Sequence, residues 1–244
     1  MSLATLLCRL YGSQSWSIKS KFTERDAGYE PSKSGFAGMA LRARGFREES
    51  WFLPAFNKCR MAVRVDRQGE PYEEFCTAGA GRFAGRPYGA VKASSEMGKP
   101  ELRKHPIVIR KTRWDDACFL VGLEGDKGFL EEVEAFLASP RGVIFLGRKQ
   151  FLPRVPVVFP PDTSGKRGIR ECGLEEALEG EPWALLDIEA FKDQKPERVR
   201  SVIEVLKPEV HARIVNDVAL DFCGNRQRTA RYVLDRLIDL RKDP

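Results

Sequence analysis

The order of the apolar segments constrains the fold of this chain more than any other feature of its sequence. Residues 3–11 form a continuous apolar run typical of a buried strand, and apolar residues alternate in 61–65 as in a half-buried strand. The apolar spacing becomes helical after Pro31 and again in 129–137. Further apolar runs predict strands at 106–110, 117–123 and 142–149, with 114–116 read as a turn.

This order of strand, helix, strand, strand, helix, strand predicts an α+β chain built on a ferredoxin-like or RRM-type domain. We assign that domain to residues 1–155. Residues 77–101 form a glycine-rich, basic stretch that lacks periodicity, and we read them as an inserted loop or hairpin. Residues 156–244 predict a smaller β-rich region that begins with a linker at 160–168. Within it, the spacing of 201–206 fits both a helix and a strand, and both remain open.

The composition predicts a cytoplasmic protein without a cofactor. At 244 residues and 42% hydrophobic content, the chain can bury a substantial core. No segment reaches the roughly 20 apolar residues that a membrane span needs, and Arg9 interrupts the opening apolar run before it could act as a signal sequence. Six scattered cysteines without a CxxC pair, and only two histidines, predict neither a metal site nor a disulfide framework.

Positive charge is concentrated in one segment of a chain whose net charge is +6. Residues 81–113 contain nine Lys or Arg against two Glu, a local charge of +7, whereas residues 171–189 contain seven acidic residues and no basic one. This polarity favours a polyanion on one side of the molecule and protein or solvent on the other. A solvated charged face would give the same counts.

Three glycine-containing polar segments could bring backbone amides close to phosphate: residues 12–17, 32–38 and 146–150. Glycine removes the Cβ, and the start of a helix offers unpaired donors. The segment 32–35 lacks the upstream glycine of a P-loop, which disfavours a nucleotide site.

Single-stranded RNA suits such a surface better, because its bases can splay apart while lysines and arginines hold the phosphates. The candidate stacking residues are Trp16, Phe83 and Tyr88, although Trp16 could equally belong to the core.

Five segments, in chain order, resemble the landmarks of the CasD family, a subunit of the type I-E CRISPR surveillance complex called Cascade. They are GSQSWS at 12–17, PSKSGFAGM at 31–39, HPIVIRKTRWDDACFLVGL at 105–123, FLGRKQFLP at 145–153, and DVALDF with RTARYV at 217–222 and 228–233. The resemblance spans nearly the whole chain. It implies a ferredoxin-like domain of the RAMP superfamily, with residues 77–110 as a thumb hairpin.

The resemblance also implies a function and its partners. The protein would hold the 5′ handle of CRISPR RNA without cutting it, cap the backbone of CasC subunits and adjoin the large subunit CasA and other Cascade subunits. Target DNA would be met only indirectly, through the guide RNA. The RNA-binding residues expected from the residue types and the resemblance together are Ser13, Gln14, Ser15, Trp16, Arg25, Lys33, Ser34, Gly35, Arg42, Arg82, Arg86, Tyr88, Lys92, Arg110, Gly147, Arg148, Lys149 and Gln150.

Two alternatives compete with this function. Relatives in type I-C systems cut precursor RNA, and a metal-independent endoribonuclease here would use Lys104 and His105, joined by Tyr11, Tyr29 or Tyr88. A histidine before Pro106 at the entrance to a strand is more often a packing residue. The second alternative is a structural adaptor that uses the acidic segment, with the basic segment serving solubility.

Overall fold

The computed structural model describes residues 3–20, 24–45, 50–78, 81–83, 86–88, 91–94, 101–104, 107–222 and 225–240. For residues 18–20 and 25, and for the described residues from 78 to 107 inclusive, it describes the backbone alone. The strands are β1 Leu3–Gln14, β2 Ser17–Ser20, β3 Glu24–Ala27, β4 Arg60–Arg67, β5 Glu70–Ala78, β6 Gly81–Phe83, β7 Arg86–Tyr88, β8 Val91–Ser94, β9 Glu101–Lys104, β10 Ile107–Asp126, β11 Ile169–Arg170, β12 Arg198–Val205, β13 Arg213–Ala219 and β14 Arg228–Asp239. The helices are α1 Lys33–Arg44, α2 Phe52–Lys58, α3 Lys127–Ala138 and α4 Leu174–Gly180, with a 3-10 helix at Glu189–Gln194.

The main sheet has the strand order β11-β1-β10-β4-β12-β14-β13. Its first four strands pair antiparallel, as in a ferredoxin-like sheet, and α1 and α3 lie in the expected places in the chain. The predicted α+β class is therefore confirmed. The predicted strand at 142–149 is wrong, because this segment is irregular and the two-residue β11 occupies the fourth position. A Cβ on Gly142 would lie 2.3 Å from the Arg42 carbonyl oxygen, so the segment follows α1 closely instead of joining the sheet.

Strand β10 is a single strand of 20 residues, and the predicted turn at 114–116 is wrong. Trp114 and Asp115 pair with Pro71 and Glu70 of β5, whereas the later residues of β10 pair with β4. Asp116 marks the change of partner with a φ of 59°. The polar residues thus produce an irregularity within the strand and not a reversal of the chain.

Two hydrophobic cores lie on opposite faces of the sheet. The core under α1, α2 and α3 includes Leu6, Phe36, Phe56, Phe119 and Leu130. The other core lies under α4 and the segment that follows it, and includes Leu7, Leu120, Leu178, Trp183 and Phe191. The segment 171–189, read as a possible acidic face, therefore also covers the sheet. An RRM reads RNA with an open sheet face, and the described central strands offer none.

The strands after residue 155 extend the sheet of the first region. Strand β12 pairs with β4, with Val202 opposite Val63, so the segment 201–206 forms a strand for most of its length. The sheet continues across the boundary predicted at 155, and both cores contain residues from the two sides of it. Between β5 and β10 the chain forms two short antiparallel pairs, β6 with β7 and β8 with β9, as expected for an inserted hairpin region. No helix in the described part of the chain is long and apolar enough to cross a membrane.

Candidate functional site

A groove of about 320 Å³ lies between the first turns of α1 and the irregular segment 145–149. It brings together residues that are more than 100 positions apart in the sequence and that were predicted separately as RNA contacts. Its lining residues are Ser34, Gly35, Gly38, Met39, Arg42, Phe145, Gly147 and Lys149.

The groove combines two cations with an apolar surface. Arg42 and Lys149 are exposed, and neither has an ion-pair partner among the residues that the structure describes. Met39 and Phe145 supply the apolar part of the lining. This combination suits a ligand that carries both negative charge and a flat apolar ring, as a nucleotide does.

The first turn of α1 is capped by protein groups. The Ser32 hydroxyl accepts a hydrogen bond from the Gly35 N–H at 3.1 Å, and the Asp217 carboxylate accepts one from the Lys33 N–H at 2.7 Å. These two backbone donors are therefore not free for phosphate, contrary to the expectation that the start of this helix would supply unpaired donors. The positive charge of the groove comes from the side chains of Arg42 and Lys149.

The opposite wall is held by a tight turn that begins at Leu146. The Ser15 N–H donates to the Leu146 carbonyl at 3.1 Å, and the Phe151 N–H donates to the Arg148 carbonyl at 3.0 Å. Gly147 has a φ of +86°, and a Cβ there would lie 2.0 Å from the Ser15 carbonyl oxygen. Only glycine can therefore occupy this position without a shift of the turn that presents Lys149.

Gln150 links this turn to strand β5. Its side-chain amide donates to the two carboxylate oxygens of Glu74 at 3.2 and 3.3 Å. Arg113 of β10 also pairs with Glu74 and donates to Asp115 at 2.8 Å. The hydrogen bond from Arg113 lowers the pKa of Asp115 below its ordinary value, and Ser13 adds a further hydrogen bond to the same carboxylate.

The side chains of Gln14, Ser15 and Trp16, expected to contact RNA, lie inside the fold. The Gln14 amide donates to the Ala117 carbonyl at 2.9 Å, the Ser15 hydroxyl donates to the Thr112 carbonyl at 2.8 Å, and the Trp16 indole donates to the Gln14 side chain at 2.8 Å. Trp16 is only 2% exposed and packs against Gly35. The expectation of side-chain contacts with RNA is corrected here, since a buried indole ring offers no face to a base.

Lys33 is the fourth corrected residue, because its side chain is 1% exposed. Its ammonium group lies 2.9 Å from Glu204 Oε2 and 2.6 Å from the Cys59 carbonyl oxygen. Arg231 pairs with Glu204 and donates two hydrogen bonds to Asp217, at 2.6 and 2.9 Å. Burial lowers the pKa of Lys33, and Glu204 opposes that effect. The two cations and two carboxylates balance, and they fasten α1 to β12, β13 and β14.

The structure also shows candidate residues that the sequence analysis missed. Phe145 and Met39 line the groove, and Tyr72 of β5 lies exposed beneath the guanidinium of Arg113, 4.0 Å from its ring centre. Phe75, also exposed, packs against the predicted contact Arg110 at 5.6 Å. The two aromatic residues in 70–78 were the available signal, but the cations that pair with them come from a strand 35 to 41 residues later.

The predicted RNA contact Arg110 and the neighbouring Arg113 lie on different faces of the β5–β10 pair. Tyr72 lies opposite Arg113 and Phe75 lies opposite Arg110 in the register. Positions an odd number of residues apart in a strand point to opposite faces, so Arg110 and Arg113 lie on different sides. Arg110 therefore lies on the face opposite to the one that carries Arg113, whose partner Glu74 holds Gln150.

Several expected residues have no described side chain. Arg25 contributes its backbone to β3, Arg82 lies in β6, Arg86 and Tyr88 lie in β7, and Lys92 lies in β8. Lys104 ends β9, and His105 falls outside the described residues. The contacts predicted for these residues stay predictions.

Tyr11, one of the tyrosines considered for catalysis, is buried and already bonded. Its hydroxyl donates to Asp116 Oδ1 at 3.2 Å and accepts from Arg154 at 3.2 Å. Tyr29, by contrast, is exposed and its ring packs against Trp114. The described residues include no group of three or more His, Cys, Asp or Glu able to hold a metal ion.

Comparison with solved structures gives the class of protein. A structure described as "Crystal structure of Cas protein" shares 30% sequence identity with the chain, with a TM-score of 0.67, and the match covers 96% of this chain and 95% of that one. A chain of a "CRISPR RNA-guided surveillance complex" shares 26% identity, with a TM-score of 0.68, over 97% of this chain and 90% of that one. No curated protein matches the sequence.

The model of the family described as CRISPR-associated protein (Cas_Cas5) matches residues 5–230. The chain belongs to this family. The family resemblance drawn from five short segments is confirmed.

Proposed function

We propose that this protein binds the 5′ handle of CRISPR RNA in the groove between α1 and segment 145–149, as a subunit of a Cascade-type surveillance complex. The observation that supports this most directly is the groove itself. Ser34, Gly35, Arg42, Gly147 and Lys149 were expected to contact RNA from two separate parts of the sequence, and all five line it.

The chemistry of the groove is that of a single-strand binding surface. Arg42 and Lys149 would hold phosphates, and the half-buried Phe145 would lie against a base or ribose. Its volume falls at the lower end of ordinary ligand sites, about 300–1,000 Å³. The protein would therefore hold a short piece of RNA in position, and the guide would read target DNA by base pairing, which makes the contact with DNA indirect.

The proposed partners follow from the family and from the matched complex. The guide RNA and the other subunits of the complex would surround the chain, with CasC subunits along the backbone and CasA beside it. The complex would work in the cytoplasm. The two strand pairs between β5 and β10 would serve as the thumb that meets the neighbouring backbone subunit.

Fluorescence anisotropy with labelled handle RNA tests the proposed groove. Replacing both Arg42 and Lys149 with Ala should weaken binding at low salt by at least about tenfold, since hydrogen bonds to charged groups contribute roughly 1.5–3 kcal/mol each. A plot of log K against the logarithm of the salt concentration should become shallower. Its slope should decrease in magnitude by about 1.4, or about 0.7 for each lost phosphate contact.

The matched control replaces Lys166 and Lys207, two exposed lysines outside the groove, with Ala. It removes the same charge and should leave the affinity nearly unchanged. Equal losses in the two double variants would assign binding to overall charge and contradict the groove.

We further propose that the protein holds the RNA without cutting it. The engagement of the Tyr11 hydroxyl with Asp116 and Arg154 supports this, because a bonded and buried phenol is poorly placed for proton transfer. Incubation with repeat RNA in the absence of metal should give no specific product. Site-specific cleavage that disappears in His105→Ala would establish the endoribonuclease alternative instead.

A further inference from the structure

A second cavity among the described residues lies away from the groove, on the C-terminal part of the sheet. Its volume is about 610 Å³, and its floor is formed by β12, β14 and β13. The loop 28–32 that leads into α1 forms one wall. Val202, Ile214, Val215 and Val233 make part of the lining apolar.

Four charged side chains fasten this loop to the sheet. Arg200 donates to Glu30 at 2.9 Å and to Asp235 at 2.7 Å, and Arg213 donates to Glu30 at 2.6 Å and to Asp235 at 2.9 Å. Each guanidinium is thus shared between two carboxylates. Although burial raises the pKa of Asp235, hydrogen bonds from both arginines lower it below its ordinary value.

One cation in this region has no carboxylate partner among the described residues. Arg231 and Lys33 are paired with Asp217 and Glu204, and the ring formed by Arg200, Arg213, Glu30 and Asp235 is neutral. Arg228 also lines the cavity and has no ion pair in the described part of the chain. The cluster therefore carries one excess positive charge, located on Arg228.

The cavity opens beside an unpaired sheet edge. Strand β13 ends the sheet, and β14 is its one partner among the described strands. The end of β13 is covered, because Asp217 bonds to the start of α1 and Asn57 of α2 donates to the Ala219 carbonyl at 2.8 Å. Residues 213–216 remain open, and Ile214 among them is 64% exposed.

We propose that this edge and cavity form a docking site for an extended, acidic segment of a partner protein. The segment would pair with the open backbone of 213–216 as an added strand, which leaves its alternate side chains to enter the cavity. Inside the cavity an aliphatic side chain would pack on Val215 and a carboxylate would pair with Arg228, and a side chain on the other face of the added strand would pack on Ile214. The inference rests on the proposed function, which makes the chain part of a multi-subunit complex.

The charges favour an acidic peptide over RNA as the occupant. A phosphate backbone along this surface would face Glu30 and Asp235, whose carboxylates hold both ring arginines. A single carboxylate needs only Arg228. Unpaired backbone amides and carbonyls at a sheet edge are also matched by another strand, which nucleic acid cannot provide.

The test compares hydrogen exchange at the amides of 213–216 in two samples: the chain with guide RNA alone, and the chain in the complex assembled with the other protein subunits. Assembly should slow exchange there by about tenfold or more, because strand addition buries these groups. The double variant Ile214→Asp with Arg228→Glu should lose about tenfold or more in affinity for one protein subunit and keep its affinity for guide RNA. Leu3→Asp with Lys166→Glu, an exposed leucine and an exposed lysine outside the cavity, is the matched control and should keep both.

Unchanged hydrogen exchange at 213–216 on assembly would overturn the docking site. A double variant that binds every protein subunit as tightly as the wild-type chain does would also overturn it. A loss of guide RNA affinity in the double variant, with the subunits still bound, would assign the cavity to RNA and overturn it as well. Failure of the wild-type chain to bind guide RNA would refute the proposed function separately. In that case, slower exchange at 213–216 on addition of protein subunits alone would still uphold the docking site.

Discussion

Lys33 and Lys149 come from two segments that look alike in sequence and differ in what they do. Both are lysines beside glycine and polar residues at an edge of the groove. Lys33 is buried and bonded to Glu204 and Cys59, whereas Lys149 is exposed and has no ion pair among the described residues. The partners of Lys33 lie far away in the chain, and its own segment contains no sign of them.

This difference separates residues that build the groove from residues that line it. Lys33, Gln14, Ser15 and Trp16 hold α1 and the end of β1 in place, and Arg42 and Lys149 line the groove with exposed side chains. A substitution in the first group should act on stability, and one in the second group should act on RNA affinity.

Lys33→Met should destabilise the protein by about 3–5 kcal/mol, because it leaves the buried carboxylates with one cation fewer. Urea unfolding followed by circular dichroism measures this. The control Arg42→Met, on the exposed side of the same helix, should change stability by less than about 0.5 kcal/mol. If Lys33→Met lost little stability and the folded variant bound RNA more weakly, Lys33 would be a residue that contacts RNA.

Gly147→Ala should destabilise the protein by about 1–3 kcal/mol and weaken RNA binding, because the turn that carries Lys149 has to move. Gly165→Ala is a suitable control, since Gly165 also has a positive φ, of 80°, but a Cβ there meets no atom within 4 Å. Gly165→Ala should therefore show backbone strain without loss of RNA affinity. Thermal unfolding and anisotropy on both variants measure the two effects, and equal RNA affinities would contradict the role given to the turn.

Asp115 should give the smallest effect, visible as a pH dependence. Its folded-state pKa is lowered, chiefly by the hydrogen bond from Arg113. Its contribution is therefore present above its ordinary pKa and disappears as the pH falls through the lowered value. Because the carboxylate is partly exposed, we expect less than about 1 kcal/mol.

The measurement is the stability difference between the wild-type chain and Asp115→Asn. That difference should be largest near neutral pH and should shrink toward about pH 3. A difference that stays constant over this range would show that the Asp115 charge contributes nothing to the link between β10 and the groove wall.

The parts of the fold that could be predicted are those encoded locally. Strands β1 and β4 and helices α1 and α3 follow from the apolar periodicity of their own residues. Strand β10 was divided because Asp115 and Asp116 are typical turn residues, but Asp115 pairs with Glu70 of β5 and the strand continues through Asp116. The segment 142–149 has a strand-like apolar pattern, but its contact with α1 and β1 prevents pairing.

The sequence indicates which segments form the candidate site, but it does not indicate which of their residues line the groove and which are buried. Two of the three glycine-containing polar segments, 32–38 and 146–150, do meet in one groove. The burial of Lys33 depends on Glu204, Asp217 and Arg231, which reach it only once β12, β13 and β14 join the sheet. Trp16 was equally compatible with core and surface, and its contact with Gly35 decides for the core.

The most direct test of the account is crosslinking of handle RNA that carries a photoreactive base at each position in turn, with the adducts mapped by mass spectrometry. If the groove binds the handle, adducts will form on peptides that contain Met39 and Phe145, and they will be lost when Arg42 and Lys149 are replaced by Ala. Adducts confined to the peptides of the C-terminal cavity, around Tyr29 and Arg228, would contradict it.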